Sequence, residues 1–74
     1  MTPEYDRARA DVRRAMADFD AASFDYEVEI RRTERPGHVG MCRKGRRGTP
    51  LRAAYLAEQT AAARLADAQF RLRA

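Results

Sequence analysis

After Pro3, apolar side chains fall at Tyr5, Ala8, Val12, Ala15, Phe19, Ala22 and Tyr26. The steps alternate three and four, which draws one stripe along an α-helix and makes a heptad seam. After Pro50 a second seam reads Leu51, Ala54, Glu58, Ala61, Leu65, Ala68 and Leu72. In both seams alanine recurs at every seventh position, three times running, with bulkier residues between. Alanine removes the bulk that keeps helix axes apart, so two such helices pack near the short end of the usual ~8–10 Å separation. One antiparallel offset satisfies every layer: Ala8 faces Ala68, Ala15 faces Ala61, Ala22 faces Ala54. Tyr5 then meets Leu72, Val12 meets Leu65, Phe19 lies near Glu58, and Tyr26 meets Leu51.

Both helices open alike, at Thr2-Pro3 and Thr49-Pro50. Threonine caps a helix by accepting a free amide of the first turn, and proline suits the first helical position, where its missing N–H is not needed. The pattern therefore predicts an all-α chain: an antiparallel two-helix hairpin with helices over about 3–34 and 50–73, forming one domain over 1–74. A flexible basic connector over 35–49 joins them. Arg31 and Arg32 suit the negative end of the first helix, and Pro36 discourages helix at Arg35.

A competing pattern runs through residues 24–30, where Phe24, Tyr26, Val28 and Ile30 alternate with Asp25, Glu27 and Glu29. That is a strand pattern built from good strand formers. With a turn at Pro36-Gly37 it gives an α-β-β-α alternative with a small hairpin at 24–47. The returning segment is poor in apolar side chains and carries three glycines between 37 and 45, which weakens it as a strand.

Each helix carries a second apolar face. Ala17, Ala21, Phe24 and Val28 line the first, and Leu56, Ala63 and Phe70 fall a heptad apart on the second. A helix apolar on two sides expects neighbours on two sides. Residues Phe24, Val28, Leu56, Ala63 and Phe70 are thus the expected oligomer interface. The simplest assembly is a homodimer forming a four-helix bundle. Glu58 is the one charged member of the seams, read as leaning to the rim or pairing with an arginine.

Composition changes the picture in three ways. Seventy-four residues form a small core, and the single cysteine, Cys42, permits no internal disulfide staple. A lone thiol, a charged N-terminus without a leader pattern, and no long apolar run predict a cytoplasmic protein with no membrane contact. Charge is strongly polarised: residues 1–30 carry four basic and eight acidic groups, whereas 31–52 carry eight basic groups against Glu34 alone. The connector, about fifteen residues, exceeds the ~2–8 that helix–helix links in bundles need. Arg43, Lys44, Arg46 and Arg47, flanked by Arg31, Arg32, Arg35 and Arg52, are the candidate anion-binding residues. Their targets are a nucleic acid backbone or an acidic protein surface. The connector holds no Phe, Tyr or Trp, so base stacking is not indicated.

Catalytic and metal chemistry find no foothold. There is no Walker loop, no GxSxG and no dinucleotide fingerprint. His38 and Cys42 make a single H-x3-C spacing with no second pair to complete a zinc site. The expectation is a non-enzyme without cofactors or metals. Its function would be interaction: self-association plus engagement of an anion through the connector. The alternative is a structural or adaptor subunit, such as a phage virion component or an inhibitor of a host protein, docked through its outer apolar faces.

Overall fold

Threonine-proline openings start both helices of the computed structural model, which describes residues 2–33 and 44–73. α1 spans Pro3–Thr33 and α2 spans Pro50–Arg73. The Thr2 hydroxyl accepts the Tyr5 amide at 3.2 Å, and the Thr49 hydroxyl accepts the Arg52 amide at 3.2 Å. Glu4 and Asp6 then sit in the first turn of α1, where acids are favoured by the helix dipole. At its far end, the Thr33 hydroxyl donates to the carbonyls of Glu29 and Ile30, satisfying groups the last turn leaves open.

Among the described residues there is no strand. The α-β-β-α alternative fails over 24–33, which is continuous helix. The reason lies in the same residues that suggested a strand. A period-two run over seven residues also contains pairs four apart. Tyr26 and Ile30 fall together toward α2 and are half-buried, while Phe24 and Val28 fall together on the outer side. Ion pairs from Glu27 to Arg31 at 3.0 Å and from Glu29 to Arg32 at 3.3 Å add helical support at spacings of four and three. The remainder of that alternative, and most of the connector, lies outside the described residues.

The two helices pack antiparallel. Near the closed end the Tyr26 and Tyr55 rings stack with centroids 5.8 Å apart. Near the open end Glu4, Ala8 and Asp11 share a shallow depression with Ala68 and Arg71. Ala8 and Ala68 line the same depression, in keeping with the register the alanine spacing predicts. Among the described residues the buried ones are Ala15, Leu51, Ala61 and Ala68, three of them seam alanines. Every other seam residue except Tyr5, in the first turn of α1, is half-buried. Among the described residues no side chain is completely enclosed.

The shape follows. The chain measures 55 × 18 × 17 Å with a radius of gyration of 16.0 Å, against about 11 Å for a compact chain of this length. The hairpin is a rod with a one-layer core. Glu58 sits half-buried in the seam, and no cation lies in ion-pair range of it among the described residues.

Candidate anion-binding end

The start of α2 is built from a turn that needs glycine. Gly45 has φ +75° and Gly48 has φ +84°, both in the left-handed region that side chains other than hydrogen disfavour. Gly45 also passes so close to α2 that a Cβ there would stand 2.6 Å from the Arg52 amide nitrogen. The turn closes through Thr49, whose amide and hydroxyl both donate to the Arg46 carbonyl, at 3.1 and 2.6 Å. Thr49 therefore ties the incoming chain to the helix it caps. The amino-terminal end of α2 is held in a fixed relation to residues 44–48.

This turn gathers cations. Lys44, Arg46 and Arg47 are exposed and Arg52 is half-buried. The Arg52 guanidinium lies 5.4 Å and the Lys44 ammonium 6.0 Å from the centre of the Tyr55 ring, which itself rests on Tyr26. The ring faces hold two of the four charges over the end of the hairpin by cation–π attraction. No acid occurs from residue 44 to residue 57, and the first turn of α2 contains none. Among the described residues none of the four cations is in an ion pair. An open depression of about 860 Å3 adjoins them, bounded by Gly45, Arg47, Gly48, Thr49, Arg52 and Leu56.

The remaining sequence-predicted cations divide. Arg31 and Arg32 stand on the last turn of α1 and pair with Glu27 and Glu29 of their own helix. Such exposed pairs are worth well under ~1 kcal/mol and yield readily to a stronger anion. Arg35 and Arg43 lie outside the described residues, as do His38 and Cys42. Among the described residues no group of three or more His, Cys, Asp or Glu is placed to hold a metal ion.

The expected interface residues are on the surface. Phe24 is 66% exposed and Phe70 is 71% exposed, with Val28, Leu56 and Ala63 also open. Leu56 borders the depression beside α2, so the outer stripe of that helix runs into the cationic end.

Tyr55 is the participant that sequence reasoning passed over. It was one letter in the apolar run AAYLA, next to the seam alanine Ala54. The available signal was its place three residues after Arg52, the spacing at which side chains on a helix meet. With Tyr26 predicted in the adjacent layer, two aromatics and a cation were already due at one end of the hairpin.

No protein-family model, curated protein or solved structure matches this chain. None of the described helices is long and apolar enough to cross a membrane.

Proposed function

We propose that this chain is a non-catalytic interaction protein, a self-associating helical hairpin whose cationic end engages a polyanion through its backbone charges. One observation carries the reading. The amino-terminal end of α2, where the helix dipole is positive and an acid contributes ~0.3–1 kcal/mol, has four cations and no carboxylate. The contrast with α1, which has Glu4 and Asp6 at the equivalent place, is internal to the molecule. Four cations that make no ion pair among the described residues are open to an external anion. A phosphate backbone supplies many at regular spacing.

Contacts of this kind read charge and spacing, not base sequence. Tyr55 is covered by Tyr26 and by the two cations, so its ring is poorly placed to stack on a base. The test is fluorescence anisotropy with labelled duplex DNA, single-stranded RNA and polyglutamate across a salt series. Four phosphate contacts give a slope of log K against log salt of about −3.6 on duplex DNA. Replacing Lys44, Arg46 and Arg47 together by glutamine flattens that slope and leaves the oligomeric mass unchanged. Tighter retention of polyglutamate than of either nucleic acid moves the partner to an acidic protein surface. No retention of any polyanion at low salt removes the reading.

A second reading is favoured by the exposure of Phe24 and Phe70. In it the outer stripes dock on a larger protein and the charges are incidental. Leu56→Ser with Phe70→Ser then abolishes assembly, while the glutamine variant assembles normally.

A further inference from the structure

An antiparallel hairpin has two long flanks beside its seam, and here they differ in kind. With Tyr5 and Leu51 at heptad position a, the g positions of both helices fall on one flank and the e positions on the other. The g flank holds Glu4, Asp11, Asp18, Asp25 and Arg32 of α1 and Pro50, Ala57, Arg64 and Arg71 of α2. It is a charged, solvated surface, and Glu4, Asp11 and Arg71 indeed share one depression there. The e flank holds Met16, Ser23 and Ile30 of α1 and Tyr55, Ala62 and Gln69 of α2, with Arg9 its one charge, at the open end. Ser23, Ile30, Tyr55 and Ala62 are half-buried, and Met16 is still 49% exposed. Lys44 and Arg52 lie over Tyr55 at the closed end; in a chain that is 35% charged, the uncharged stretch between that end and Arg9, with Met16, Ser23, Ala62 and Gln69, is the face to cover.

Geometry separates this flank from the outer stripes. Phe24, Leu56, Ala63 and Phe70 occupy f positions, almost opposite the seam. Packing through them extends a row of helices. Closing a square four-helix bundle requires a face about a quarter-turn from the seam, and the e flank is that face.

We infer that a second copy of this chain packs on the e flank, about a two-fold axis parallel to the helices, so that each α1 lies beside the partner's α2. Charge on the rim of the flank selects this arrangement. The b positions border the e positions, and on α1 they are Asp6, Arg13, Asp20 and Glu27, whereas on α2 they are Arg52, Gln59, Ala66 and Arg73. Placing α1 beside the partner's α2 at the register of the seam sets Asp6 level with the partner's Arg73 and Glu27 level with the partner's Arg52. Arg13 and Asp20 meet the partner's uncharged Ala66 and Gln59. The other closed arrangement, with the axis across the helices, puts each α2 against the partner's α2 and sets Arg52 level with the partner's Arg73. Like charges there oppose association.

The area is sufficient. A flank two helices wide and as long as α2 measures about 36 Å by about 20 Å, roughly 700 Å2 on each partner. Stable interfaces of standard size bury about 800 Å2 per partner. The inference rests on the self-association proposed above and is independent of the polyanion. It also brings both cationic ends to the same end of the dimer.

The test is sedimentation equilibrium of the full chain without nucleic acid, with helicity followed by circular dichroism. The wild type is a dimer. Met16→Glu with Ala62→Glu raises the dimer Kd at least about tenfold, because the charges would be buried without partners. Phe24→Glu with Phe70→Glu leaves it within about threefold. Asp6→Arg weakens the dimer, and adding Arg73→Asp restores it. That pair lies at the solvated rim, so it decides the matter even where the flank variants lose helicity. A monomeric wild type, a stoichiometry other than two, loss of the dimer in the outer-stripe variant, or failure of the charge exchange to restore it overturns the inference.

Discussion

Replacing Ala61 by leucine tests the central packing claim, because two opposed effects have known sizes. Ala61 is buried at the middle of α2, in the alanine layer predicted to meet Ala15, which is also buried. Leucine adds three carbon atoms. If the seam held room for them, their burial would stabilise the hairpin by about 2.4 kcal/mol, at ~0.8 kcal/mol for each group. If the helices are already in contact through alanine, the added atoms force an unfavourable rotamer or push the axes apart. Overpacking of that kind costs ~1–3 kcal/mol. The alanine seam argues for the second outcome, so Ala61→Leu destabilises. The control is Ala57→Leu, four residues earlier and exposed, where the same change in helix propensity applies without the packing. It is neutral within ~0.5 kcal/mol. Thermal unfolding by circular dichroism at fixed concentration reads the difference, with ~1 kcal/mol moving Tm by ~4–8 °C in a chain of this length. A Tm for Ala61→Leu at or above that of Ala57→Leu would show a loose seam and refute close approach of the axes.

Three further outcomes follow from the closed end. Thr49→Ala removes the cap on α2 and the hydroxyl bond to Arg46, costing ~0.5–2 kcal/mol by urea unfolding; a change below ~0.3 kcal/mol would show the cap to be idle. Gly48→Ala suffers only the left-handed backbone penalty of ~1–2 kcal/mol, because open space surrounds it. Gly45→Ala adds a collision with the Arg52 amide and must be the more destabilising of the two, so the reverse order contradicts the turn geometry. Tyr55→Leu keeps apolar bulk but loses the stack on Tyr26 and the attraction of Lys44 and Arg52, for ~1–2 kcal/mol in urea, and an unchanged midpoint would leave the ring cluster without energetic weight.

Particular residues show which parts of this fold could be read in advance. The helix starts were legible because Thr-Pro is a local signal, and its cap bonds involve residues only three apart. The buried face was legible because Ala8, Ala15 and Ala22 answer Ala54, Ala61 and Ala68 at a single offset, and all four buried residues, Ala15, Leu51, Ala61 and Ala68, belong to those seams. Residues 24–30 were ambiguous for a physical reason: four apolar positions at spacing two satisfy a strand face and two helix faces at once. Ion pairs to Arg31 and Arg32 and contact with α2 favour helix, and neither is visible from periodicity alone. At the candidate site the cations were plain in the sequence, but their division was not. Whether Arg31 pairs with Glu27 or faces a ligand depends on helix continuing to Thr33, and the place of Tyr55 under Lys44 depends on the turn through Gly45 and Gly48.

An outline three times as long as it is broad has a practical consequence. Friction in solution depends on length as well as mass, so a single copy drifts through a sizing column ahead of a spherical protein of equal weight. Elution volume by itself would overstate the mass of a single copy. Stoichiometry for this chain is a quantity to weigh, by sedimentation or light scattering.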